Sequence, residues 1–200
     1  LLGEAPVSAD AVRHTIGMPL EKAFSDLLNI PPSDALIGKA MELFRSCYRE
    51  IVLPQAKELV FSGVVSGLRF LRQQGIILTI ATSKFQASAH TMLEAAELDE
   101  YFEYVVGCDK VRNPKPHAYS AQKIQRHFKV PVENAVVIGD TTYDVLMAKG
   151  ARMKSIAMTY GAHEVSLLKS GTPTWMVDSF SEAVKHIFFM SHGETTYACA

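Results

Sequence analysis

The 200 residues hold 20 Lys and Arg against 21 Asp and Glu, a net charge of −1, with 48% hydrophobic and 20% charged residues. This is a globular balance, and a chain of this length buries a substantial core in one large or two small domains. With no basic run or aromatic–basic stripe, and no apolar segment near the roughly 20 residues that span a bilayer, it excludes nucleic acid and membrane as expected partners.

The chain starts at Leu1 rather than Met and no signal-like segment precedes the first helix, so it reads as part of a longer protein. Ser8 caps a helix over residues 9–15 that ends at Gly17-Met18-Pro19, and a second helix covers 20–28. Pro31-Pro32-Ser33-Asp34 opens a long third helix. Its apolar stripe, Leu36, Ile37, Ala40, Leu43, Phe44, Cys47, Tyr48 and Ile51, has helical spacing. Nothing in this stretch has strand character, and residues 1–62 are expected to form a helical domain.

From Gly63 the pattern changes. A helix over 64–73 is closed by Gly75 and followed by an apolar run, 76–81, that reads as a buried strand. A helix over 86–96, a short strand over 104–106 and a helix over 117–128 come next. Then strands over 135–138, 154–158 and 174–177 alternate with helices over 143–149, 164–169 and 181–189. Uniformly apolar strands alternating with amphipathic helices predict an α/β domain over 63–190, its parallel sheet covered on both faces. Residues 191–200 form a polar C-terminal tail expected to fray. Cys47, Cys108 and Cys199 are odd in number, far apart and without a Cys-x-x-Cys spacing, which fits free thiols in a reducing compartment, the cytoplasm. The seven histidines show no metal-ligand spacing and are assigned surface or packing roles.

Residues 135–144, Ala-Val-Val-Ile-Gly-Asp-Thr-Thr-Tyr-Asp, carry the strongest signal. An apolar strand ends in two carboxylates, Asp140 at the strand end and Asp144 one turn into the next helix. That is the sheet edge where open α/β folds bind ligands. Two carboxylates so close favour a cation, and Mg²⁺ prefers such oxygen ligands. The alternative is an N-cap Asp140 with a solvated Asp144. Thr82-Ser83-Lys84 closes the strand over 76–81, where a hydroxyl and backbone N–H groups suit a phosphate oxygen; an ordinary helix cap is the alternative. In Asn113-Pro114-Lys115-Pro116 the prolines restrict the backbone and fix where the lysine points, unless it is a simple surface turn.

Together and in this order, these segments resemble the motifs of the haloacid dehalogenase-like hydrolase superfamily. Thr82 matches its second motif, Lys115 its third, and Asp140 with Asp144 the Gly-Asp-x-x-x-Asp loop of its fourth. Gly63-Val64, Thr82-Ser83-Lys84, Lys115-Pro116 and Thr159-Tyr160-Gly161 resemble its phosphoglycolate phosphatase-like branch, over roughly residues 8–190. The resemblance implies a Rossmann-like parallel-sheet core with the helical segment inserted as a cap. It also implies a first strand carrying Asp-x-Asp-x-Thr, which nothing here matches: Asp10 lies in a helical segment, and Asp26, Asp34 and Asp99 lack an apolar strand before them. The nucleophile is therefore expected upstream of Leu1, and its strand beside the one ending at Asp140, so that without it a sheet edge would lie open.

For the intact protein the resemblance implies a Mg²⁺-dependent phosphatase acting on a small phosphorylated metabolite, phosphoglycolate-like, through an aspartyl-phosphate. Thr82 and Lys115 would be catalytic and would bind the phosphate with Ser83. Arg13, near the Gly17 loop, would contact the leaving group unless it is an exposed helix arginine, and Asp140 and Asp144 would serve the metal, Asp144 by orienting a bound water or Lys115. The chain by itself is expected to be inactive. A sugar phosphomutase or pyrophosphatase would keep the same motifs. A dehalogenase would leave the acidic pair unexplained, and a phosphonoacetaldehyde hydrolase would need a cap lysine, for which neither Lys22 nor Lys39 stands out. From a different class, a non-catalytic binding or scaffold protein would lack the upstream Asp-x-Asp. Oligomeric state is left open.

Overall fold

The computed structural model describes residues 5–192. Three helices open it: α1 (Ala9–Thr15), α2 (Leu20–Leu28) and α3 (Ala35–Cys47). Ser8 caps α1 through its side chain, which accepts from the Ala11 amide, and Asp34 caps α3 by accepting from Leu36. The third helix is shorter than its apolar stripe suggests. At Tyr48 it passes into a π-helical turn, Tyr48–Val52, then a 3-10 turn, Leu53–Gln55, where Pro54 has no N–H to continue the ladder. Only Ile37 and Ala40 of the stripe are fully buried, while Phe44 is 41% and Ile51 59% exposed.

The α/β part contains α4 (Val64–Gln73), β1 (Thr79–Ala81), α5 (Gln86–Ala95), β2 (Tyr104–Val106) and α6 (Tyr119–Phe128). It continues with β3 (Val136–Gly139), α7 (Thr142–Gly150), β4 (Lys154–Met158), α8 (Val165–Ser170), β5 (Trp175–Val177) and α9 (Phe180–His192). All strand pairs are parallel, as uniformly apolar strands joined by helices require. The last helix runs through Ser191 and His192, two residues the sequence reading gave to the tail. The rest of that tail, 193–200 with Cys199, lies outside the described residues, as do residues 1–4 with the start at Leu1.

The sheet comes in two pieces: β1 pairs with β2, and β3–β4–β5 form a second ladder. Both pieces share their covering layers. Ile76 and Leu78, which lead into β1, pack with Val136 and Ile138 of β3 against Leu71 of α4 and Ala183, Val184 and Ile187 of α9. On the opposite face Ala81 and Val137 pack against Ala118, Ala121 and Met147, from α6 and α7. Thus β1 and β3 lie side by side under the same helices without a hydrogen-bond ladder between them.

This changes two expectations. The run 76–81 is no buried six-residue strand: only Thr79–Ala81 forms a ladder, and Ile77 is 42% exposed between inward Ile76 and Leu78. Its partner β2 is short, and pairing extends only through Glu103 N to Leu78 O and Thr82 N to Val106 O. β3, the most apolar strand by sequence, is half-buried throughout, whereas all but the first residue of β4, flanked on both sides, are buried.

Candidate active site

Asp140 follows the last residue of β3, and two amides of the turn before α8 hold it. Ala162 N–H donates to Oδ2 at 2.9 Å and His163 N–H to the Asp140 carbonyl at 3.2 Å. The turn approaches so closely because residue 161 is Gly: a Cβ there would run into the Asp140 side chain. Asp140 Oδ1 has no partner among the described residues. Tyr160 sits in the same turn against the Phe61 ring, with centroids 4.6 Å apart. Burial first and the Asp140 charge second push its hydroxyl pKa up, so it stays protonated.

Asp144 has both oxygens engaged. Oδ1 accepts from Lys115 Nζ at 2.7 Å, with both side chains only 10% exposed. Oδ2 accepts from Thr141 Oγ1 at 2.7 Å and Thr141 N at 3.3 Å. The Thr141 side chain in turn takes an amide of the first turn, a capping box that starts α7. One carboxylate thus starts the helix and fixes the lysine. Its buried charge is compensated by an ammonium and two hydrogen bonds, the condition under which a buried ion pair persists.

Thr82 ends β1. Its Oγ1 accepts from Lys84 N at 3.1 Å, which leaves the hydroxyl hydrogen free to donate. At the start of α5 the Gln86 amide is taken by Asp109 Oδ1 at 2.7 Å, which also holds the Asp109 carboxyl below its usual pKa. The amides of Ser83 and Phe85 have no partner among the described residues. The Ser83 hydroxyl donates to the Gly17 carbonyl. Lys84 Nζ lies over the Tyr48 ring, 4.5 Å from its centroid; desolvation there lowers its pKa, although the residue as a whole is exposed.

The structure joins Lys115 to Asp144, with Asp140 four residues earlier at the end of β3, and bonds Ser83 to Gly17, whose neighbours are Thr141 and Tyr143. Arg13 stands apart: its side chain is 67% exposed and donates to Asp10 of its own helix at 3.1 Å. Sequence reasoning missed His163, which is 5% exposed and reaches Thr142 across 21 residues of chain. Its one signal was its place two residues after Thr159-Tyr160-Gly161, a segment already singled out.

No group of three or more His, Cys, Asp or Glu side chains gathers around a metal position among the described residues. The donor set fits a hard divalent cation at one point, Asp140 Oδ1. None of the described helices is long and apolar enough to cross a membrane.

A sequence model described as haloacid dehalogenase-like hydrolase matches residues 2–158. A Dickeya dadantii protein named "Probable phosphatase IndB" is 46% identical over 174 residues, covering 87% of this chain and 76% of that protein. Phosphoglycolate phosphatases of Pseudomonas fluorescens and Colwellia psychrerythraea are 26% and 27% identical; the chain covers 66% and 82% of their lengths, with 89% and 90% of its own residues aligned. Among solved structures, a haloacid dehalogenase-like family hydrolase of Streptococcus pneumoniae superposes with a TM-score of 0.75 at 26% identity, covering 92% of this chain and 84% of that one.

Proposed function

The chain belongs to the haloacid dehalogenase-like hydrolase family, and on that premise we propose that it carries most of a Mg²⁺-dependent phosphatase for a small, phosphoglycolate-like phosphate monoester. One observation supports this reading above others: a buried carboxylate that fixes a lysine follows, four residues on, a second carboxylate with one oxygen unengaged at the C-terminal end of a parallel strand.

In this reading an Asp carboxylate from sequence preceding Leu1 attacks phosphorus and forms an aspartyl-phosphate as the ester oxygen leaves, and water then releases phosphate. Lys115 has three N–H donors and gives one to Asp144, so two are left for the phosphate and the attacking carboxylate. The Thr82 hydroxyl and the Ser83 amide donate to the phosphoryl oxygens. Asp140 would hold the Mg²⁺ through Oδ1 together with carboxylates from outside this chain. When bound, the cation would neutralise phosphate charge and orient the ester. Asp144 acts by positioning Lys115, because both its oxygens are engaged. The helices of residues 5–62 act as a cap that excludes bulk water. Arg13 reaches a leaving group only by exchanging its bond to Asp10.

The test is a screen of small phosphate esters with the chain extended by its upstream coding sequence, with and without Mg²⁺. Hydrolysis that EDTA abolishes is expected, with carboxylated monoesters turned over best. No turnover of any ester, with an upstream Asp-x-Asp present, would sink the reading.

A further inference from the structure

His163 is the buried titratable group that the proposed chemistry leaves unused. Its Nδ1 lies 3.1 Å from Thr142 N and accepts from it, at the first residue of α7. Because Nδ1 accepts from an amide, the ring proton resides on Nε2. That Nε2 is buried and has no hydrogen-bond partner among the described residues. A buried donor left unmade is costly, and such groups require an explanation. The nearby cap turn carries Ile16, whose backbone draws the ring's pKa upward, and the Tyr143 ring against that turn lies 5.6 Å from the His163 ring. Ile16 belongs to the turn between α1 and α2. The next residue, Gly17, has φ +98° and sits where any Cβ would lie 2.7 Å from the Tyr143 ring. Its carbonyl already takes the Ser83 hydroxyl.

We propose that His163 is a positioning residue which registers the cap on the core: its Nε2–H completes a bond to the Ile16 carbonyl as the cap turn seats over the acidic edge. One ring thereby joins three parts of the site. The residue's backbone N–H holds the Asp140 carbonyl, Nδ1 caps α7 at Thr142, and the buried, unpartnered Nε2 is the donor left for the cap turn. The phosphatase reading supplies the purpose of that seating, but the seating itself is measured without turnover.

The experiment uses the two halves of the ring. Asn at 163 keeps an acceptor where Nδ1 stands and removes the Nε2 donor, whereas Gln keeps a donor toward the cap and removes the acceptor. Hydrogen exchange is followed by mass spectrometry in this chain for His163→Asn and His163→Gln. In the Asn variant amides of residues 14–19 should exchange about two- to tenfold faster, the equivalent of one hydrogen bond, with the start of α7 unchanged. In the Gln variant the pattern should reverse. Unchanged exchange at 14–19 in the Asn variant, or equal loss at both places in both variants, overturns the proposal. If the Asn variant does not fold, the Gln variant decides: protection kept at 14–19 supports the proposal, and protection lost there overturns it. In the upstream-extended protein the Asn variant should raise KM by the same factor and leave kcat within about twofold. Failure of the exchange test leaves the phosphatase reading standing, and an inactive extended protein leaves the exchange test valid.

Discussion

Asp140 and Lys115 differ in what their removal should do. Asp140 is held by amides and carries no ion pair among the described residues, so Asp140→Asn should leave the fold intact. In the upstream-extended protein it should reduce Mg²⁺-dependent turnover by about a hundredfold or more. Turnover within a few-fold of wild type would remove Asp140 from the metal. Lys115 is also half of a buried pair. Lys115→Met leaves Asp144 with its Thr141 bonds but no counter-charge, and should lower unfolding free energy by roughly 3 kcal/mol, the low end for a broken buried pair. Urea unfolding of this chain reads that cost, and turnover in the extended protein reads the loss of phosphate stabilisation. His163 adds a pH dependence. Its folded pKa is depressed, so below the ordinary value of about 6.5 the unfolded chain takes up the proton more readily than the folded one. Stability should therefore fall as pH drops below that value and level off once the folded ring is also charged. His163→Asn should flatten this slope between pH 7.5 and 5.5 in urea titrations.

At the scale of elements, α7 depends on the acidic loop that precedes it. Thr141→Val removes the hydroxyl side of the capping box and should cost about 1 kcal/mol, read as a lowered Tm. The same change removes the shorter of the two bonds to Asp144 Oδ2 and loosens the anchor of Lys115. The element map was largely legible in the sequence where local chemistry sets the ends. Ser8 and Asp34 start their helices by side-chain capping, and the helices Ala9–Thr15, Leu20–Leu28 and Val64–Gln73 end where Gly, Pro and the apolar spacing indicate. Residues 76–81 misled because an apolar run does not reveal how long its partner strand is, and β2 is short. The stripe from Leu36 to Ile51 misled because helical spacing does not reveal whether enough protein lies opposite to cover it. Asp140, Asp144, Lys115 and Thr82 stood out because their motifs are short and local. The Ser83–Gly17 bond, 66 residues apart, and the His163–Thr142 bond exist only through tertiary contact, so no local pattern announces them.

For the whole molecule, charge stabilisation and an attacking group are separable. In the proposed reading Thr82, Lys115 and Asp140 bind and polarise but none is an activated nucleophile, so this chain alone should show no Mg²⁺-dependent hydrolysis of a general phosphate ester. Turnover comparable to that of the extended protein would mean that the attacking group lies among these residues. The two-piece sheet has a further consequence. β1 and β3 each present a row of ladder groups without a strand partner, held at a fixed spacing by the helices packed across both faces. To an added parallel strand they form a bivalent receptor: once one edge zips, the second meets its target at high effective concentration. A synthetic apolar strand supplied in trans should therefore bind far more tightly than either edge alone allows. A proline placed in β3 at a position facing away from β4 should reduce that avidity to single-edge binding while leaving the β3–β4 ladder intact.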